Sequence, residues 1–398
     1  MAIDLDQARQ SFENSTDFTV GIEEEFALLD PRSLSLVNAF ERLHEEAGRD
    51  DLLADSVAGE LISSEIEIRS GKGSDFGDAL SRQLARRERL FALAAREGVA
   101  LGATGTHPWS PWEEQHIIDT PHYHRVEQDL RYVAWRNNTF SLHVHVGVRG
   151  PDRAVSVCDA MRPVLPTLLA ASANSAYFEG VFTGLHSTRT QAFTRAFPRC
   201  GVPDHLGDWG VYADYVAFLE RTASIVEHTQ IWWSVRPHVG FGTVEVRIMD
   251  AQSRADESTA FEALATACVA QAALDYDEGV RSEPVPPRLI EENVWRAIRH
   301  GLDGKLIDFA RGVEIPARAA VEALIEWTRP ACSELGLEEH LAAIVSALEH
   351  GNGAQRQWRR CEAGQSMQEI FAADVSETCS TYGDSSPEVC ARLAEVRG

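Results

Sequence analysis

Four short segments of this chain place ionisable side chains at every second position, and that spacing constrains its fold more than any other feature. Side chains two apart on a strand project from the same face. Gly21-Ile22-Glu23-Glu24-Glu25-Phe26 therefore sets Glu23 beside Glu25, and Ser64-Glu65-Ile66-Glu67-Ile68 sets Glu65 beside Glu67. Leu142-His143-Val144-His145-Val146 does the same with two imidazoles, and Val244-Glu245-Val246-Arg247-Ile248 with a carboxylate and a guanidinium. Behind each armed face runs an apolar one. A half-solvated antiparallel strand would alternate in the same way. Its wet face, however, usually mixes Thr, Ser and Lys with the acids, whereas these faces select Glu and His almost exclusively.

The expected strands are residues 18–29, 60–69, 139–148, and the pair 231–236 and 243–250. Pro237-His238-Val239-Gly240-Phe241-Gly242 is a turn-rich link that reads as a hairpin, so at least part of the sheet should be antiparallel. Helical spacing marks 75–96, 153–178, 211–228 and 253–275. After Pro284-Val285-Pro286-Pro287 the composition shifts to Ala, Leu, Glu and Arg without a strand-like run. The expected organisation is a catalytic sheet-and-helix region, 1–283, with a helical portion, 284–398, packed on it. With 398 residues and 44% hydrophobic composition, the chain has enough apolar surface for a large core.

Carboxylates gathered on one face repel one another, so they need compensating cations. Bound metal ions would supply them. Glutamate oxygens suit Mg²⁺ or Mn²⁺ and tolerate one imidazole alongside. A zinc site on His143 and His145 is the alternative, resting on H-x-H spacing alone. The formal charge of -24 argues against a nucleic-acid surface. Lys72 and Lys305 are the only lysines, so phosphate contacts must come from arginine, metal or backbone N–H groups. Lys72 lies in S-G-K-G-S, which is no P-loop, and neither a G-x-S-x-G nor a G-x-G-x-x-G motif is present. The seven cysteines show no C-x-x-C spacing, as expected of reduced thiols. The polar first twenty residues and the lack of any long apolar run point to a soluble, cytoplasmic protein without a membrane partner.

In this order the segments resemble the glutamate-cysteine ligase type 2 family, specifically its YbdK-type carboxylate-amine ligases. The matching stretches are Thr19-Val20-Gly21-Ile22-Glu23-Glu24-Glu25-Phe26, Ile66-Glu67-Ile68, Gly105-Thr106-His107-Pro108 and Leu142-His143-Val144-His145-Val146-Gly147. Thr183-Gly184, Ser187-Thr188-Arg189, Ile231-Trp232-Trp233-Ser234-Val235-Arg236-Pro237 and Thr243-Val244-Glu245-Val246-Arg247 complete the set. The resemblance implies an α+β fold like that of glutamine synthetase and the guanidino kinases, a curved antiparallel sheet with helices on its outer face. It also implies an ATP- and Mg²⁺-dependent ligase that activates a glutamate γ-carboxylate as an acyl phosphate for attack by an amine.

Carried over residue by residue, Glu23, Glu25, Glu67, His143 and Glu245 resemble the family's metal ligands, and Glu60 stands at a further acidic position. Arg247 and Arg236 resemble residues contacting ATP, Arg247 and Arg189 resemble catalytic cations, and Thr106, His107 and Arg189 resemble the lining of the acid pocket. Leu185 and Thr188 depart from the aromatic-containing pattern of many relatives, which points to a changed acid or amine pocket. Each position has a plainer reading. Arg247 would neutralise Glu67, His107 would bond a turn, His145 would stand behind the ligands, and Trp232 and Trp233 would pack core and rim. The competing functions are a guanidino-type phosphotransferase, a zinc amidohydrolase using His143 and His145, and a non-catalytic binding module. Partners are expected to be small-molecule substrates and further copies of the chain in a homo-oligomer.

Overall fold

The computed structural model describes residues 3–383, and in it the alternating segments become neighbours in one sheet. Its strands are Val20–Leu29 (β1), Val57–Ala58 (β2), Glu65–Arg69 (β3), Ala100–Gly102 (β4), Ser141–Gly147 (β5), Val235–His238 (β6) and Thr243–Asp250 (β7). The order is β6-β7-β5-β1-β3-β2, with β4 also on β1, and every pairing is antiparallel. The helices that matter below are Phe76–Arg96 (α1), Pro121–Leu130 (α2), Pro151–Met161 (α3), Leu165–Ser172 (α4), Thr188–Thr194 (α5), Ala255–Asp277 (α6) and Met367–Tyr382 (α7).

One face of the sheet carries Ile22, Leu142, Val144, Val146, Val244 and Val246, all fully buried in a cluster with Val155 of α3, Leu168 of α4 and Phe261 and Leu264 of α6. Each such side chain contributes about 1.5–3 kcal/mol on burial. Two carboxylates about 4 Å apart repel by roughly 4 kcal/mol in an effective dielectric of about 20. The apolar face therefore outweighs the repulsion on the other, and the strands stay paired despite their charge. Val294, Ile298, Val321 and Leu341 join the same cluster, so the helices beyond residue 284 share the core of the sheet region.

Alternation also sends Glu24 into that core. Its carboxylate is met there by Arg87 of α1, by Gln83 Nε2 at 2.7 Å and by Ser258 Oγ of α6 at 2.6 Å, while Arg87 Nη2 also donates to Glu262 at 2.9 Å. A buried charge left alone would cost several kcal/mol, so this network fixes β1 against α1 and α6. Gly147, the last residue of β5, admits no side chain, since a Cβ there would lie 2.2 Å from Thr16 O.

Several boundaries differ from the sequence expectation. Only 65–69 of the expected 60–69 strand pairs in the sheet; the residues before it turn away, with Ser63 N donating to His116 O and Ile118 N to Leu61 O. The expected helix 153–178 is two, α3 and α4, bent by 58° at a break holding Pro163, which has no N–H to continue the ladder. It is followed by a short strand, Tyr177–Phe178. The helix expected over 211–228 closes at Arg221, with Ala223 at φ 54 just beyond it. The C-terminal portion is not wholly helical, since Lys305–Asp308 pairs with Val313–Pro316 around a turn at Gly312 (φ 64). Cys390 lies outside the described residues; Cys158, Cys200, Cys268, Cys332 and Cys361 are free thiols. Among the described residues no single helix is long and apolar enough to cross a membrane.

Candidate active site

The register of the sheet converts the four alternating patterns into one patch. Glu23 stands opposite His143, Glu25 opposite Glu67, His145 opposite Glu245, and Glu245 opposite Arg236. All of these side chains except His143 line a cavity of about 460 Å³, within the range that holds a small-molecule substrate. Its lining includes six carboxylates, Glu23, Glu25, Glu60, Glu65, Glu67 and Glu245, against four guanidinium groups, Arg69, Arg189, Arg236 and Arg247.

The cations are concentrated on one side. Arg236 Nε donates to Glu245 Oε2 at 2.6 Å, and Arg247 Nη1 donates to Glu245 Oε1. Burial alone would raise the Glu245 carboxyl, but the two guanidinium charges hold it well below the usual carboxylate range. Glu23 is held down in the same sense. Burial opposes it, and the charge of His145 with hydrogen bonds from both imidazoles prevails. His143 Nδ1 lies 3.4 Å from Glu23 Oε2, and His145 Nε2 lies 3.3 Å from Glu23 Oε1.

Across the sheet the balance reverses. Glu67 and Glu65 are pushed well above the usual range by burial and by the neighbouring carboxylates, and Glu60 is pushed up to about 8 by burial and then by Glu25. Glu65 Oε2 and His143 Nε2 are buried without a hydrogen-bond partner. One donor atom each from Glu23, His143 and Glu245 falls within a 4.8 Å span, as does one each from Glu25, Glu67 and His143. Oxygen-rich triads with a single imidazole, excess negative charge and an orphaned ring nitrogen fit hard divalent cations such as Mg²⁺. His145 belongs to neither triad; its Nδ1 lies 3.0 Å from Thr243 Oγ1, so the two imidazoles do not form a zinc pair here.

Arg189 enters from α5 and does two things. It lines the cavity, and its Nη1 and Nη2 donate to the carbonyls of Ile248 (3.2 Å) and Arg247 (3.1 Å). Those carbonyls lie where the β5–β7 register shifts between Val246 and Met249, so the guanidinium satisfies groups freed by the irregularity. Arg189 is set in turn by Asp250, a residue the sequence did not single out. Asp250 accepts from Ser175 Oγ at 2.6 Å and from Ser187 Oγ, the N-cap of α5, at 2.9 Å.

Two expected substrate residues are elsewhere. Thr106 donates to Tyr177 O at 2.6 Å, and His107 bonds Leu34 O through Nε2 and accepts from Ser110 N through Nδ1. Both are buried outside the cavity lining, with their side-chain polar atoms committed to backbone. Leu185 packs on the main core, and Thr188 shares a 2.7 Å hydroxyl contact with Thr183, so neither reshapes the cavity. Arg247 neutralises Glu245 rather than Glu67. Trp233 packs into the core, whereas Trp232 reaches the cavity.

The residues missed fall into two kinds. Arg69 and His238 continue the two-residue alternation from Glu67 and from Arg236, so extending each pattern by one step would have found them. Tyr123, Val126, Phe193, Phe197 and His228 reach the cavity from helices and turns with no local signal.

Comparison with known proteins gives this geometry a lineage. A protein of Solibacter usitatus named "Putative glutamate--cysteine ligase 2" is 37% identical over 362 residues, 90% of this chain and 93% of that protein. The fold is similar to that of a glutamate–cysteine ligase from Francisella tularensis in complex with AMP, with a TM-score of 0.65, 11% identity, and 96% and 93% of the two chains covered. It is also similar to a bifunctional glutathione synthetase from Pasteurella multocida, with a TM-score of 0.64, 13% identity, and 94% of this chain and 53% of that one covered. The profile of glutamate-cysteine ligase family 2 (GCS2) matches residues 19–377, and the chain belongs to that family.

Proposed function

We propose that this chain is an ATP-dependent, ADP-forming carboxylate–amine ligase whose acid substrate is glutamate, activated at its γ-carboxylate. The observation that carries the reading is the convergence of Glu23, Glu25, Glu67 and Glu245 beside Arg236 and Arg247 in one cavity, with His143 within ligand distance of both carboxylate groups. Divalent cations held by those carboxylates and His143 would neutralise phosphate charge as it builds during transfer. Arg247 and Arg236, already lining the cavity, orient the phosphates, and Arg189 braces the strand that carries Arg247 and Glu245.

A carboxylate is a poor electrophile, so amide formation needs its oxygen converted into a leaving group. The γ-carboxylate oxygen attacks the terminal phosphorus of ATP and ADP departs; the amine then attacks the acyl carbon and phosphate departs. An ammonium must lose a proton before that attack. Glu60, with its carboxyl pushed up to about 8, is a base of suitable strength on the cavity wall.

Purified protein given ATP, Mg²⁺, glutamate and a panel of amines should release phosphate in proportion to an amide seen by mass spectrometry. Omitting any one component should remove the signal. A stable phosphorylated product without an amide would replace this reading with a phosphotransferase, and hydrolysis independent of ATP would replace it with an amidohydrolase.

A further inference from the structure

Side chains on the site face of the sheet fall into rows, because partners in the register stand side by side. Glu245 lies between His145 of β5 and Arg236 of β6, and the next row holds Gly147, Thr243 and His238. Such rows are about 7 Å apart. The second row leads into the β6–β7 turn, where Phe241 is 61% exposed and lines the cavity together with His238 and Gly240. The His238 ring stands 5.1 Å from that of His145, and the Phe241 ring stacks on His238 at 4.4 Å with 15° between their planes. A ladder of rings therefore runs from His145, which approaches Glu23, out to the rim.

A single exposed phenylalanine is ordinary on a protein surface, but this one is held in place. Its neighbour Gly242 has φ 66, a Cβ there would run into Ser11 O, and Ser15 Oγ donates to Gly242 O at 2.7 Å. The turn is thus pinned to the segment 11–15. His238 is 8% exposed, and its Nδ1 is buried without a hydrogen-bond partner. A fixed aromatic ring at the cavity rim, beside an unsatisfied ring nitrogen, suits a flat heteroaromatic group. Stacking takes its face and the nitrogen its polar edge. Trp232 is less available for this, being packed against the buried wall of Leu61, Val126 and Phe197 with Arg199 over its ring.

We propose, resting on the ligase reading above, that Phe241 and His238 form the platform for the adenine ring of ATP, with the triphosphate running back along the β6–β7 hairpin to Arg236 and Arg247. The two arginines then take the phosphates from the row beside His145, and the platform one row further takes the base. Phe241 and His238 are on this account the residues that favour a nucleotide over a bare polyphosphate.

Calorimetric titration of the full chain with ATP and with tripolyphosphate, each with Mg²⁺ and without acid or amine, tests the assignment. Phe241 is exposed, so Phe241→Ala should fold as the parent does. It should weaken ATP binding by about tenfold to a hundredfold, the scale of one lost base–aromatic stack, while tripolyphosphate binding stays within about twofold. Phe241→Tyr, which keeps the ring, should bind ATP as the parent does. Unchanged ATP affinity in Phe241→Ala, or an equal loss for ATP and tripolyphosphate, would overturn the platform and leave the ligase reading standing. Failure of the parent to bind either compound rejects the ligase reading and the platform with it.

Discussion

Glu23→Ala should lose phosphate release by about a hundredfold to a thousandfold, the range seen when one charge-stabilising group is removed from a reaction centre. The fold should survive. Glu23 is the residue both imidazoles approach, at 3.4 Å for His143 and 3.3 Å for His145, and it contributes to one of the two oxygen-rich triads. Burial disfavours the charged form of His145 while Glu23 and Glu245 favour it, so the substitution still leaves His145 beside Glu245 at 3.8 Å, and the back face of β1 remains locked through Ile22 and Glu24. A thermal unfolding midpoint within a few degrees of the parent, measured beside the rate, separates chemistry from stability. Parent-like turnover in a folded Glu23→Ala protein would remove Glu23 from the site. Glu245 offers a less clean comparison, because Arg236 and Arg247 both lean on its carboxylate and would be left as unpaired buried charges.

Arg247→Lys should cost about a hundredfold in kcat/KM for ATP, although the charge is kept. Arg247 spends Nη1 on Glu245 and leaves Nε buried without a partner on the cavity wall. A guanidinium holds the carboxylate with one edge and presents a second donor to a phosphate in a fixed direction. An ammonium is a single point charge at the end of a flexible stem and cannot do both. The loss should appear in ATP saturation and in turnover together, measured by phosphate release over a range of ATP concentrations. Unchanged constants would mean that Arg247 serves only to neutralise Glu245.

Much of the floor of the site was legible because strand alternation is a local rule. Glu23, Glu25, Glu65, Glu67, His143, His145, Glu245 and Arg247 announce their face through the apolar residues between them, and the sheet does put them on one side. Register is not local, and the pairings of Glu25 with Glu67 and of Glu245 with Arg236 depend on how distant segments slide past one another. The irregularity in β7 that Arg189 satisfies, and the Asp250 that sets Arg189, are likewise products of tertiary packing. Thr106 and His107 stand outside the cavity lining, bonded to backbone, because a motif does not say which way a turn points its side chains. The apolar wall of Leu61, Val126 and Phe197 comes from three separate segments whose sequences look like ordinary surface helix and loop. The helix broken at Pro163 shows the opposite lesson: the breaker was visible, and the apolar spacing on both sides obscured it.

The central claim is that carboxylates from separate strands meet to hold divalent cations. It is tested most directly by titrating the protein with Mn²⁺, followed by electron paramagnetic resonance, and repeating the titration on Glu23→Ala and Glu67→Ala. The account predicts saturable binding that Mg²⁺ displaces and that each substitution weakens, while thermal stability holds. Identical Mn²⁺ isotherms for the parent and both folded variants would contradict it.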